Sequence, residues 1–252
     1  ASTDQSFERL SGRFAGAAGV QLLANPENRG FGPAVNDQLA TVTHPYLLVI
    51  NPDCRLEDGA LRALTTAMDN APDGGLAGPR VLDARGRPEA AACRFFPTPR
   101  RAFMTATGRS RLAGRFPTLA GVAVPDADAL TAVTEVEATS GACMLMRTDA
   151  FRALGGFDED YRLHCEDLDL MYRLRQSGWR ILFVPLATAV HVKGVSSASR
   201  PFWVHRQKHR GLSRFFRLHL AEGVGWPARA LFQLGLWAHW LLLWPLQWVR
   251  RS

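Results

Sequence analysis

Cysteine is scarce and scattered. The four residues, Cys54, Cys93, Cys143 and Cys165, form no C-x-x-C pair. That argues against a zinc site or a disulfide framework and fits a reducing compartment. No secretory leader opens the chain, which reads Ala-Ser-Thr-Asp-Gln-Ser without an initiator Met; a piece of something longer, or a processed product, is expected. There is no internal repeat and no low-complexity tract, which excludes a solenoid. Charged residues make up 21% and hydrophobic ones 47%, which excludes wholesale disorder. Acidic residues are the minority sign, 23 against 30 Lys plus Arg, for a net charge of +7. An anionic partner follows: nucleic acid, anionic lipid or a phosphorylated substrate. No nucleic-acid recognition motif is present, and no aromatic-interleaved basic groove is visible, so nucleic acid is not expected as a partner.

The 252 residues suit one large α/β domain, with or without an appendage. Phe7, Leu10 and Phe14 recur at three- and four-residue steps, which predicts a helix over 4–17. Residues 20–24 read as a short buried strand, and 25–30 as a loop by their Pro, Gly and Asn content. A helix is expected to follow through Ala40. The apolar run 46–50 has strand length and stops at Asn51-Pro52-Asp53. A helix over about 57–71 and a strand around 76–82 come next. Such alternation predicts a mostly parallel sheet with helices on both faces. Ligands of these sheets bind beyond the carboxyl ends of the strands, where residues 51–53 fall. Arg94, Arg100, Arg101, Arg109, Arg111 and Arg115, set among Pro, Gly and Phe, read as a basic, partly mobile excursion. Order is expected to return at 131–137 and 142–146, then in a helix from Glu166 to a C-cap at Gly178, then in a strand over 181–184.

Asp53 at a strand end can hold Mg²⁺ or Mn²⁺, with Asn51 offering a neutral oxygen nearby. Taken alone, Pro52-Asp53 reads first as a turn capping the next helix. Glu166, Asp167 and Asp169 crowd a helix start, where acidic side chains favour the dipole by about 0.3–1 kcal/mol each. Glu166 and Asp169 share a face, while Asp167 points elsewhere and can serve another site. Asp169 and Arg173 have the spacing of an ordinary helix pair, so Asp169 reads as structural. His191 alone reads as a surface or satisfied core histidine. Ser140-Gly141-Ala142-Cys143 is by itself a turn into a strand, and no local histidine activates a nucleophile there.

The order of these features carries more than any one of them. Ala1-Ser-Thr-Asp4, Asn28-Arg-Gly-Phe-Gly-Pro-Ala-Val-Asn36, Leu48-Val-Ile-Asn-Pro-Asp53, Ser140-Gly-Ala-Cys-Met-Leu-Met-Arg147, Gly155-Gly-Phe-Asp-Glu159, Cys165-Glu-Asp-Leu-Asp-Leu170 and His191-Val-Lys-Gly194 follow one another over about residues 1–200. In this succession the chain resembles the family-2 glycosyltransferases, the inverting GT-A type, particularly their rhamnosyltransferase-like branch.

The resemblance implies a GT-A, Rossmann-like domain over 1–200 that lacks the family's first strand. It implies Asp53 as the metal-binding Asp, with Asn51 in place of the usual first Asp and Arg55 where some relatives are acidic. It implies Asp167 as catalytic base, Glu166 orienting it, and His191 at the metal or diphosphate. Asp4, Asn28, Arg29, Gly30, Asn36, Asn51 and Asp53 would line the donor pocket, with Ser140 and Gly141 on the acceptor side. The cofactor would be Mg²⁺ or Mn²⁺. The donor would be a nucleotide-diphosphate sugar, with dTDP-rhamnose as the family-level choice, and the acceptor lipid-linked or a glycan. A non-catalytic sugar-nucleotide or lipid-binding module is the alternative.

Residues 201–252 read as a tail. Arg206, Arg210, Arg214 and Arg217 form one stripe of a helix over 201–220, either a solvated face or a contact for lipid headgroups. Residues 230–249 are nearly all apolar, but Gln233, His239, Pro245 and Gln247 interrupt them. Trp237, Trp240, Trp244 and Trp248 share a stripe, and tryptophan favours the membrane interface. A helix lying in the interface is expected, with a spanning helix or one docked on the core as alternatives. The implied location is cytoplasmic, at the inner face of the cytoplasmic membrane.

Overall fold

The apolar run Tyr46–Ile50 forms β1, and a tight turn leads to the short β2, Cys54–Leu56. These observations come from a computed structural model, which describes residues 5–192 and 200–244. Before β1 lie α1, Ser6–Arg13, and α2, Phe31–Asn36. Helix α3, Ala60–Asp69, then leads into β3, Gly74–Leu82. The remaining elements are β4, Cys93–Arg94; α4, Pro99–Ala106; β5, Thr134–Val136; β6, Ala138–Thr139; β7, Cys143–Arg147; α5, Thr148–Ala153; α6, Glu166–Gln176; and β8, Arg180–His191. Helix α7, Pro201–Phe215, passes through a π-turn, Phe216–Leu220, before α8, Trp226–Leu243.

The main sheet has the order β1-β7-β3-β8-β2, with β5 also paired to β8. The two longest strands, β3 and β8, are parallel neighbours, and β1 points the same way. Strand β7 is inserted antiparallel between β1 and β3, and β2 and β5 also run against β8. The expected mostly parallel sheet is present in the common direction of β1, β3 and β8, with β7, β2 and β5 added antiparallel. The strands that break the pattern follow a tight turn (β2) or the long connection after β3 (β5 and β7), not a helical crossover.

Side chains alternate across this sheet with period two. Leu76, Met144, Met146, Ile181 and Phe183 join one core cluster, which includes Phe151 of α5, Leu170 and Met171 of α6, and Phe215 of α7. Their neighbours Ala77, Leu145, Leu182 and Val184 face the other way, against Leu64 and Met68 of α3. Helices therefore cover both faces. Pro79 interrupts no ladder, because the β3–β8 register shifts between Pro79 and Arg80, so β8 bulges there.

Three expectations change. Residues 20–24 form no strand; Val20 and Leu23 are exposed and pair with no neighbour. A short apolar run gains strand structure only from a ladder beside it. The basic stretch 94–116 holds a helix and contacts to the rest of the fold: Thr98 caps α4, Arg101 pairs with Glu137 at 2.8 Å and stacks over Phe95, and Arg100 donates to the Thr118 carbonyl at 2.7 Å. The arginine stripe of α7 is split, because Arg214 pairs with Asp158 and Asp160, each at 2.7 Å, while Arg206, Arg210 and Arg217 stay exposed.

Two members of the tryptophan stripe of α8, Trp237 and Trp240, are half-buried against α7, while Trp244 is 44% exposed. Trp237 and Trp240 pack beside His209 and His205 of α7, and Trp244 beside Phe202. Leu231, Leu234, Leu241 and Leu242 occupy the exposed side. No helix among the described residues is long and apolar enough to cross a membrane; Trp248 and the segment 245–252 lie outside them.

Candidate active site

The site begins at the carboxyl end of β1. Ile50 pairs with Cys143 at the last register position, and the Asn51 N–H donates to the Ala142 carbonyl at 2.9 Å. The Cys54 N–H donates back to the Asn51 carbonyl at 3.0 Å, closing a turn in which Pro52 presets the second position and Asp53 is third. The turn predicted for these residues is present, but it leads into β2 and does not cap a helix, since Gly59 is the N-cap of α3; the turn is the device that aims Asp53. Cys54 then pairs in register with His191, and the Val192 N–H donates to the Asp53 carbonyl at 2.8 Å.

This register brings Asp53 Oδ1 to 3.3 Å from His191 Nε2. On the far side of the ring, Nδ1 lies 3.7 Å from Glu89 Oε1. The Asp53, His191 and Glu89 side chains are 19%, 11% and 5% exposed. An open cleft of about 480 Å³ lined by Asp53, Arg55, Ala84 and Val192 adjoins them. Among the described residues, no group of three or more His, Cys, Asp or Glu is arranged to hold a metal. Asp53 and His191 supply one carboxylate and one imidazole. Mg²⁺ and Mn²⁺ at nucleotide sites are commonly bound by one or two carboxylates plus substrate phosphates, so the pair fits a metal whose shell a diphosphate completes.

The second carboxylate pair sits at the start of α6. His164 and Cys165 hold φ of 65° and 74°, a left-handed conformation costly for residues with a Cβ. Helix α7 braces them: a Cβ at Gly211 would lie 2.7 Å from the His164 carbonyl oxygen. Asp167 Oδ2 accepts from Arg94 Nη2 at 2.6 Å, and Oδ1 accepts from the Leu168 N–H at 2.9 Å. Arg94 is itself fixed through the Thr139 carbonyl, to which Nε donates at 3.2 Å and Nη2 also donates. Gly141 lies against the carboxylate, since a Cβ there would stand 2.7 Å from Asp167 Oδ2. Ser140 is buried, and its hydroxyl accepts from the Ala142 N–H at 3.3 Å.

The two carboxylates are driven apart. Burial and then the adjacent Asp167 charge push Glu166 up to about 8. Burial acts on Asp167 in the same direction, but Arg94, by charge and hydrogen bond, and the Leu168 N–H override it and hold that carboxyl below its ordinary value. Of the two, Asp167 is therefore the carboxyl that gives up its proton more readily and Glu166 the one that keeps it.

The other expected donor residues form a neighbouring cluster. Asn28 Oδ1 accepts from the Gly30 N–H at 3.1 Å. Arg29 pairs with Glu159 at 2.9 Å and with Asp37 at 3.3 Å. Asn36 donates to the Phe157 carbonyl and accepts from the Phe157 N–H, both at 2.9 Å. Asn36 thus braces the 155–162 turn, and Gly30 lies against its end, where a Cβ would stand 3.3 Å from the Arg162 carbonyl oxygen; among the described residues no hydrogen bond links either to Asp53. Asp4 lies outside the described residues.

The family model described as glycosyltransferase-like family 2 matches residues 2–213. The chain belongs to that family. An N-acetylglucosaminyl-diphospho-decaprenol L-rhamnosyltransferase of Mycobacterium tuberculosis is 32% identical to this family-2 chain over 202 residues, 72% of this chain and 62% of the relative. The chain therefore spans less than two thirds of the length of that relative. The fold is that of the GT-A glycosyltransferases. A mannosyltransferase of Pyrobaculum calidifontis, solved with GDP-Man and Mn²⁺, superposes with a TM-score of 0.56 at 17% identity, over 100% of this chain and 61% of that one. GalNAc-T7, solved with UDP, GalNAc and Mn²⁺, gives 0.59 at 14% identity, over 86% and 40%. Sequence reasoning about this family-2 chain missed Arg94 and Glu89. Each sits in the long connection between β3 and β7, where no periodicity marks a residue's direction.

Proposed function

We propose that the chain carries the catalytic site of an inverting glycosyltransferase that moves a sugar from a nucleotide-diphosphate donor to a hydroxyl of a lipid-linked or polysaccharide acceptor in cell-envelope synthesis. The observation that carries this reading is the setting of Asp167: a buried carboxylate paired with Arg94 and pressed against Gly141, whose chain neighbour Ala142 accepts from the N–H of Asn51 in the turn that bears Asp53.

In this reading Asp167 accepts the acceptor hydroxyl's proton as that oxygen attacks the anomeric carbon. Arg94 and the Leu168 N–H each occupy one lone-pair direction of the carboxylate, which leaves a further direction on each oxygen for the incoming proton. Protonated Glu166 can donate a hydrogen bond and so orient the acceptor without adding a competing charge. Asp53 and His191 would hold Mg²⁺ or Mn²⁺, and the chemistry such a cation would supply is neutralisation of negative charge on the nucleotide diphosphate. Asn51 fixes the strand end against Ala142, next to Ser140 and Gly141 on the acceptor side. Asn28, Arg29, Gly30 and Asn36, braced on the 155–162 turn, form the nucleotide side with Asp4. The relative named as an N-acetylglucosaminyl-diphospho-decaprenol L-rhamnosyltransferase supports rhamnose as the sugar moved and a polyprenyl-diphosphate-linked sugar as acceptor; dTDP is the nucleotide proposed for the donor.

The proposal divides the chain into a transferase domain over 1–200 and a membrane-associating part over 201–252, acting at the inner face of the cytoplasmic membrane. The exposed leucines of α8, with Arg206 and Arg210 on α7 and Arg217 in the π-turn that follows it, support that placement.

The test is nucleotide release from a panel of nucleotide sugars with Mn²⁺, with donor affinity read separately. Asp167→Asn is expected to abolish transfer and keep donor affinity within about threefold, well below the tenfold that 1.4 kcal/mol represents. Asp53→Ala is expected to remove metal-dependent donor binding. Equal loss of donor affinity in Asp167→Asn would overturn its role as base, and unchanged metal dependence in Asp53→Ala would overturn the metal assignment.

A further inference from the structure

Glu89 is a buried carboxylate in a loop, a position that needs a reason. Its side chain is 5% exposed, and its backbone is tied at both ends: the Glu89 N–H donates to the Val81 carbonyl at 2.8 Å, and the Glu89 carbonyl accepts from the Ala92 N–H at 2.9 Å. Val81 is in register with Ala189 of β8, and Leu82 with Val190, one residue before His191. The tether therefore holds the carboxylate beside the end of β8. There Oε1 lies 3.7 Å from His191 Nδ1. That nitrogen is buried and has no hydrogen-bond partner among the described residues. The opposite nitrogen, Nε2, faces Asp53 Oδ1 at 3.3 Å.

A neutral imidazole carries one proton, on one of two nitrogens, and the neighbour of each nitrogen decides which. A carboxylate beside Nδ1 favours a proton there and leaves the Nε2 lone pair free. Left to itself, Nε2–H would point at Asp53 and donate to it, and a ring so engaged has no lone pair for a cation. We infer that Glu89 is a positioning residue: it holds His191 as the Nδ1–H tautomer and aims the Nε2 lone pair at the space beside Asp53. The distance of 3.7 Å is longer than a hydrogen bond, so Glu89 acts on the ring through its charge in a buried setting rather than through a formed hydrogen bond.

This inference rests on the metal reading of Asp53 and His191 and adds to it the residue that orients the histidine. Carboxylates that orient metal-binding histidines typically contribute about 10- to 100-fold in metal affinity.

The test uses the full chain. The His191 tautomer is read by ¹⁵N NMR without metal, and Mn²⁺ alone is then titrated in and followed through broadening of the His191 ring signals. Wild type is expected to show Nδ1–H and half-broadening at the lowest Mn²⁺ concentration. Glu89→Met, close in volume and without an acceptor, is expected to shift the ring toward Nε2–H and to need about tenfold more Mn²⁺. If that variant does not fold, isosteric Glu89→Gln decides, with a several-fold loss expected against an unchanged circular dichroism spectrum. An unchanged tautomer in Glu89→Met would overturn the inference and leave the metal reading standing, as would Mn²⁺ response within twofold of wild type in the folded variant. A response of wild type that Asp53→Ala does not weaken would overturn the metal reading itself, whatever the tautomer.

Discussion

At the scale of single residues, the site is built from close approaches that tolerate no added atom. Gly141 is the sharpest case, since a Cβ there would stand 2.7 Å from Asp167 Oδ2. Gly141→Ala is expected to displace the carboxylate from Arg94 and lower turnover by about 100-fold, the cost of a misplacement near 1 Å. Steady-state kinetics alongside a thermal melt checks this, with Tm expected to fall far less than activity. Glu166 makes a different prediction. In the folded chain its proton is held up to about 8, against an ordinary 4.5. Its contribution to stability is therefore full below the ordinary value and is lost as pH rises through that window. Glu166→Gln, which cannot ionise, should flatten the fall of Tm between pH 5 and 8. Both carboxylates could be picked out of the sequence as candidates, but their division of labour could not. That division depends on Arg94, 73 positions away in the chain, and on burial that no local pattern reports.

At the scale of elements, α6 is the hub that ties the turn at 155–162 to the π-turn at 216–220. Asp169 is 1% exposed; its Oδ2 accepts from Arg173 Nε at 2.7 Å, and its Oδ1 lies 2.6 Å from His219 Nε2. Arg173 also donates to the carbonyls of Leu154 and Gly156. Removing one member of such a buried group strands the others, at about 3–5 kcal/mol. Asp169→Ala is expected to lower stability by that amount in a denaturant titration. The Asp169–Arg173 pair was readable from its four-residue spacing; the His219 contact was not, because the π-turn that swings His219 inward leaves no mark in the sequence pattern. Strands β1 and β3 and helices α3 and α6 were readable for the opposite reason. Each is framed by turn residues and carries apolar side chains at its own period. Residues 20–24 share the composition of a strand but have no neighbour to pair with.

At the scale of the whole molecule, α7 and α8 form an arm that is both core and surface. Phe215 and Phe216 are buried to 0% and 1% exposure, while Leu231, Leu234 and Leu242 on α8 are 70–77% exposed. The apolar character of α8 was plain from composition, but which side faces out was not, because its hydrophobicity is nearly continuous. Trp237 and Trp240, read as part of a stripe for the membrane interface, pack against α7 instead, while Trp244 is 44% exposed. If the leucine face is what meets lipid, Leu231→Ser with Leu234→Ser should reduce cosedimentation with anionic phosphatidylglycerol vesicles several-fold and leave donor hydrolysis intact. Binding equal to wild type would assign the membrane contact elsewhere.

The same arm has an optical consequence. Of seven tryptophans, only Trp179 precedes residue 200; the others, Trp203 onward, belong to the last fifth of the chain. Intrinsic fluorescence will therefore report the arm and say little about the sheet. A blue shift on adding vesicles would mark the arm's environment directly, and an unfolding curve followed by emission would trace the release of α8 from α7. Circular dichroism would then be needed to follow the sheet.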